Sequence, residues 1–343
     1  MKKAGILLSV CLLLMLVTAC SVPQNARDSD NQTITVTDMV DRQVKVPRNI
    51  QRFSCQNSQV AAYIVYALGQ QDKLVAPVPL GKLGRTMAKT DDKKSIGNGI
   101  ERVHSVNVEQ LLMLKPQVVF CQVDLDGTAL QQLVDSGFTV VAIKGETLED
   151  GFEAVRLIAK ILDCEDKGKE YTNACEKLLQ MVESRVGDVP VENRPRALVE
   201  RGAGNFAVAS DDMSETLILR RAGAENVAAG LRAFWPVVSP ERIIEWNPDA
   251  IFLGRLAGED DTKRFLDNTI FSTLKAIANK QVYVFPSNIG CWDFPAPHCV
   301  LGIVWTAKTL YPDRFADVNM TEIADDFYKR FIGTSFTELG GKL

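Results

Sequence analysis

An internal repeat constrains this chain more than any other feature. Asn107-Val108-Glu109-Gln110-Leu111-Leu112-Met113-Leu114-Lys115-Pro116-Gln117-Val118-Val119-Phe120 aligns without gaps against Ser239-Pro240-Glu241-Arg242-Ile243-Ile244-Glu245-Trp246-Asn247-Pro248-Asp249-Ala250-Ile251-Phe252, 132 residues further on. Each copy opens on a residue able to cap a helix N-terminus and carries a glutamate in the first turn, where the helix dipole favours a carboxylate. Each then stops at a proline that cannot continue a helix and runs into an apolar strand. Two such units at a wide spacing predict two related lobes.

The surrounding pattern agrees. Ile34-Thr35-Val36-Thr37 and Val44-Lys45-Val46 alternate apolar and polar around a turn at Asp41-Arg42, which predicts a β-hairpin ending at Pro47. Beyond Phe53, helical signals (60–68, 108–114, 129–136) alternate with strand signals (73–76, 117–121, 139–142). That alternation is the signature of a parallel sheet flanked by helices. From Leu148 to about Val186 the helical period runs without a strand, as one long helix or as two with a break near Asp163-Cys164. Strand signal resumes at Arg196–Glu200. The expected fold is therefore α/β: a lobe over 34–147, a backbone helix over 148–187, and a second lobe with C-terminal helices over 195–343.

Met1-Lys2-Lys3 followed by the apolar stretch Ala4 to Thr18 reads as a leader, shorter than the roughly 20 apolar residues of a membrane span. Leu16-Val17-Thr18-Ala19-Cys20 resembles a bacterial lipobox, which implies cleavage after residue 19 and lipidation of Cys20. An ordinary secretory signal and an uncleaved anchor are the alternatives, and all three export the chain. Ser21 to Thr33 is polar and reads as a tether. The net charge of −4 becomes −6 once Lys2 and Lys3 leave, and no basic run offers a footprint for nucleic acid.

The hairpin, Ala67-Leu68-Gly69 before Lys73-Leu74-Val75, Asn107-Val108-Glu109 through Lys115-Pro116, Phe234-Trp235-Pro236-Val237-Val238-Ser239, and Trp305 through Pro312 occur in an order that resembles the solute-binding proteins of iron-siderophore, haem and vitamin B12 ABC importers. The resemblance covers nearly all of the mature chain, with a departure at Asp41, where the family often has glycine. It implies two lobes joined by a rigid helical backbone, a ligand between them, a membrane anchor, an ABC permease/ATPase complex as partner, and a monomer without cofactor or catalysis. It assigns Glu109 and Glu241 to docking on permease arginines, a role suited to fixed surface charges that set orientation and on-rate.

For the cargo, an iron complex or haem with a corrinoid as the alternative, family position points to Cys55, Gln56, Arg85, Arg102, His104, Cys121, Gln122, Asn205-Phe206, Trp235 and Cys291-Trp292-Asp293. Aromatic faces would stack on a chelate or macrocycle and Arg85 or Arg102 would neutralise an anionic complex. Core packing competes for Trp235 and Trp292, and burial as small hydrophobes for Cys55, Cys121 and Cys291. With only His104 and His298 in the chain, a three-histidine metal centre is excluded. No GxSxG, phosphate loop or dinucleotide fingerprint is present; Gly81–Arg85 and Gly202–Asn205 read as loops. A cysteine-based extracytoplasmic metal or redox lipoprotein stands as the contrasting class.

Overall fold

The computed structural model describes residues 32–76, 78, 80, 82–84, 107–123, 127–202, 205–254, 257, 259–294 and 296–343. The leader, Cys20, Arg85, Arg102 and His104 lie outside them.

Strands β1 (Thr33–Thr37) and β2 (Gln43–Pro47) pair antiparallel. Asp41 holds φ +63° in the turn, a left-handed conformation that aspartate tolerates better than most residues. The hairpin is fastened to the first lobe by Asp38, whose fully buried carboxylate accepts from the Arg42 guanidinium and, at 3.1 Å, from Ala142 N–H.

In the N-terminal lobe β3 (Phe53–Gln56), β4 (Val118–Gln122) and β5 (Val140–Ile143) form a parallel sheet in that order. Helices α1 (Gln59–Ala67), α2 (Val108–Leu114) and α3 (Thr128–Asp135) belong to this lobe. The strand expected over 73–76 is absent. Residues 71–73 make a 3₁₀ turn, which leaves Leu74 a single parallel bridge to Phe53.

The expected backbone helix is two helices, α4 (Leu148–Ile161) and α5 (Glu165–Val186). Asp163 turns left-handed between them at φ +57°. They pack so closely that a Cβ on Gly168 would stand 2.7 Å from the methyl of Ala159.

The C-terminal lobe carries β6 (Arg196–Glu200), α6 (Ser214–Arg221), β7 (Glu225–Asn226), α7 (Pro240–Trp246), β8 (Ala250–Leu253), α8 (Glu259–Leu266), α9 (Lys275–Ala278) and β9 (Val282–Val284). Its sheet is parallel in the order β7-β6-β8-β9. Two helices, α10 (Val300–Leu310) and α11 (Met320–Phe331), complete the chain.

Side-chain alternation along each strand divides the interior into three layers. Val118 and Phe120 of β4, Ala197 and Val199 of β6 and Phe252 of β8 face one core shared by both lobes, α4, α5 and α10. Val119 and Cys121 face an outer layer with Leu111 of α2, while Leu198, Ile251 and Leu253 face another with Ile243 of α7. Leu111 and Ile243 are the same position in the two repeat copies, and each anchors its helix with no exposed surface.

The repeat holds at the level of single hydrogen bonds. Asn107 and Ser239 cap their helices by accepting from Gln110 N–H and Arg242 N–H. Lys115 and Asn247 end them left-handed at φ +46° and +43°. Gln117 Oε1 accepts from Arg52 N–H at 3.0 Å, and its counterpart Asp249 Oδ2 accepts from Arg196 N–H at 2.9 Å, so each copy clamps the start of the strand beside it.

Candidate functional site

In a parallel sheet the loops that can hold a ligand leave the carboxyl ends of the strands. On the N-terminal lobe that edge carries Gln56 and Cys121, paired across β3 and β4, with Gln122 next to them. Asn57 Nδ2 donates to the Gln122 carbonyl at 3.2 Å and joins the two strand ends. Gln56 is turned inward, donating to Ser54 Oγ at 2.7 Å, while Gln122 is half-buried. Cys55 and Cys121 are closed off at 3% and 0% exposure, and burial holds the Cys55 thiol far above its ordinary value. Cys121 Sγ donates to the Gln122 carbonyl at 3.5 Å.

On the C-terminal lobe the chain leaves β6 at Glu200 and folds back as a ribbon. Arg201 N–H donates to Ala207 O, Ala209 N–H to Val199 O, Val208 N–H to Pro236 O and Val238 N–H to Phe206 O. Two large aromatics sit left-handed in this ribbon, Phe206 at φ +54° and Trp235 at φ +51°. An arginine covers each ring: Arg201 lies 5.7 Å from the Trp235 centroid and Arg264 lies 5.2 Å from that of Phe206. Arg264 also meets the fully buried Glu200 at 3.4 Å. Among the described residues no carboxylate comes within ion-pair distance of Arg201.

The segment 287–293 ties this edge to the other lobe. Asp293 is buried, accepts from Ser287 Oγ at 2.7 Å and packs against Gly254 at the end of β8. Leu83 N–H donates to Ile289 O at 3.0 Å, and Cys291 N–H donates to Tyr63 Oη of α1 at 3.2 Å. His298 lies against Tyr63 with centroids 4.3 Å apart and ring planes tilted by 45°, and it donates through Nε2 to the Cys291 carbonyl at 2.9 Å. Desolvation lowers its pKa to about 4, so the ring is neutral at pH 7. Cys291, half-buried, sits at this seam.

Trp292 corrects the expectation of a stacking surface. It is fully buried, donates from Nε1 to Tyr328 Oη at 3.1 Å and packs on Phe336 at 5.0 Å, which makes it a core anchor for the segment. Of the expected ligand residues, then, Gln122, Phe206, Trp235 and Cys291 stand at the sheet edges or the seam. Arg201, the residue after β6, was not among them.

Glu109 and Glu241 are both exposed, in the first turns of α2 and α7. Hydrogen bonds from its own backbone N–H and from Ser239 hold the Glu241 carboxyl below its ordinary value, so it is charged at neutral pH. Among the described residues no three His, Cys, Asp or Glu side chains are grouped to hold a metal ion.

Two parallel-sheet lobes fastened through a shared core bring the carboxyl ends of both sheets' strands to loops able to hold a ligand. The periplasmic binding protein family matches residues 58–289, and the chain belongs to that family. It is the substrate-binding component of an ABC importer, an extracytoplasmic transport part and not an enzyme. The chain is similar to the molybdate-binding protein MolA of Haemophilus influenzae, 29% identical over 330 residues that span 88% of this chain and 91% of that one. The structure of molybdate-bound MolA superposes with a TM-score of 0.77 at 27% identity, covering 88% of this chain and 98% of the other. The Fe(3+)-citrate-binding protein YfmC of Bacillus subtilis is 24% identical over 197 residues, 56% of this chain and 62% of that protein.

Proposed function

We propose that the cargo is a small oxyanion of the molybdate class, handed to the permease of an ABC importer. The likeness to a molybdate-binding protein along nearly the whole of both chains carries this reading. A cationic, aromatic-backed edge on the C-terminal lobe supports it, since a compact anion needs fixed donors more than a wide apolar floor.

A ferric chelate, the cargo favoured by the sequence patterns with haem and a corrinoid beside it, is the second reading. The partial likeness to a ferric-citrate-binding protein favours it. Docking through Glu109 and Glu241, a lipid anchor at Cys20 and a monomeric state complete the proposal. The repeat supports the docking assignment, because it sets two exposed carboxylates on equivalent helices, one in each lobe.

The test is a titration of the full chain, purified in detergent, with molybdate, ferric citrate, haem and cobalamin by calorimetry and tryptophan fluorescence. Saturable one-to-one binding of molybdate alone supports the oxyanion reading, saturation by ferric citrate alone establishes the second, and flat titrations with all four refute both.

A further inference from the structure

We propose that the segment 335–343, gripped by the side chain of Asn288, holds the seam segment 287–293 in place for cargo binding, so that Asn288 acts on cargo affinity as a positioning residue. The inference rests on the reading above that the cargo is held where the two lobes meet.

Segment 287–293 lies outside helix and strand, between β9 and a 3₁₀ turn at Pro297–Cys299, so its path depends on what surrounds it. It reaches both lobes. Ile289 O accepts from Leu83 N–H, Tyr63 Oη of α1 accepts from Cys291 N–H, and Asp293 packs against Gly254 at the end of β8. A shift in this segment is therefore felt at both sheet edges.

The grip works in both directions. Asn288 Nδ2 donates to Gly340 O at 2.8 Å and its Oδ1 accepts from Lys342 N–H at 3.1 Å, so one amide side chain pairs with the backbone of 340–342 as a neighbouring strand would. A Cβ on Gly340 would stand 2.7 Å from Lys82 Nζ, which sets the same turn against the N-terminal lobe. Behind it, the buried ring of Phe336 packs on Trp292 at 5.0 Å and on Tyr328 at 5.2 Å.

Segment 335–343 is shaped to offer this backbone. Gly340 turns left-handed at φ +77°, a conformation glycine adopts without penalty. A Cβ on Gly341 would stand 2.5 Å from three carbons of the Phe336 ring, so a side chain there would collide with the segment's own aromatic anchor. Thr337 donates to Asp325 from its N–H at 2.8 Å and from Oγ1 at 2.9 Å, which ties the segment to α11. Asn288 passes that order on to 287–293, and because it is exposed its removal opens no cavity in the core.

The experiment compares the full chain with Asn288→Ala, Asn288→Asp, a chain shortened to end at Leu339 and, as a control, Asp317→Ala, which breaks an ion pair with Arg185. The reporter is Cys291, half-buried within the segment, whose labelling by a maleimide is followed by peptide mass spectrometry. Calorimetric titrations with molybdate and with ferric citrate, and urea unfolding, accompany it. Loss of both hydrogen bonds predicts labelling about 10- to 100-fold faster in Asn288→Ala and in the shortened chain. Asn288→Asp, which keeps the acceptor for Lys342 N–H, should fall between. A segment that the cargo must order anew should bind it about 2- to 10-fold more weakly. Joining Asn288→Ala to the shortened chain should add little to either change, since both remove the same contact. Asp317→Ala should lower the urea midpoint and leave labelling and affinity at their wild-type values. Wild-type labelling in Asn288→Ala would overturn the grip, and faster labelling at unchanged affinity would overturn its part in binding. A wild-type chain that binds neither anion would remove the anionic cargo, while the labelling rates still decide the grip.

Discussion

Acidification from pH 7 to pH 5 should cost this protein about 2 kcal/mol of stability through one residue, His298. Its imidazole is buried at the seam between α1 of the N-terminal lobe and the segment 287–293, tilted against the ring of Tyr63 and donating to the Cys291 carbonyl. Desolvation outweighs that hydrogen bond and lowers the folded-state pKa from an ordinary 6.5 to about 4. Between those values the unfolded chain binds more protons than the folded one, so stability rises with pH. The contribution is complete above pH 6.5 and is lost as pH falls through about 4, with about 2 kcal/mol gone by pH 5 and about 3 by pH 4. Asp317, held at about 2 by Arg185, titrates below this window. Urea unfolding at pH 7, 6, 5 and 4 measures the slope, and His298→Gln, which keeps a donor but cannot titrate, should remove most of it. The reasoning is refuted if the variant falls in stability as steeply as the wild type between pH 7 and 5.

Gly302→Ala would drive a methyl to 2.3 Å from the Trp292 carbonyl oxygen; overpacking of this kind costs about 1–3 kcal/mol, read as a lower urea midpoint. Asp38→Ala leaves the Arg42 guanidinium and Ala142 N–H without their shared acceptor, so a loss of about 3 kcal/mol is expected in chemical denaturation. Glu109→Ala combined with Glu241→Ala should abolish uptake in cells and leave calorimetric affinity for the cargo unchanged; an equal loss of affinity would end the docking assignment. Cys55, Cys121, Cys175 and Cys299 are all buried, the Cys299 thiol pushed up to about 12. A maleimide at pH 7.5 should therefore leave these four unmodified until denaturant is added, and rapid native labelling of Cys121 would revive the cysteine-based alternative.

The elements legible in the sequence are those whose signals are local. α2 and α7 declare themselves through a cap, a proline stop and an apolar strand, and the structure adds only the left-handed residues Lys115 and Asn247 before each proline. The pieces that sequence reading passes over depend on partners distant along the chain. β7 is two residues long and exists because Ala197 and Arg196 offer it a ladder, while the apolar run at 73–76 loses its strand because only one bridge to Phe53 forms.

The site divides along the same line. Trp235 and Trp292 look alike in the sequence, two tryptophans in loops of the second lobe, and periodicity assigns neither to core nor ligand. Both rings are buried in the shared core for tertiary reasons: Tyr328 and Phe336 of the C-terminal segment enclose Trp292, and a ribbon pairing holds Trp235 left-handed beneath Arg201. Arg201 itself is a single charged residue beyond a strand, with no repeat or spacing to mark it. Its setting is a contrast between two arginines, Arg264 matched to the buried Glu200 and Arg201 with no carboxylate in ion-pair reach among the described residues, and that contrast exists only once the loops are folded against each other.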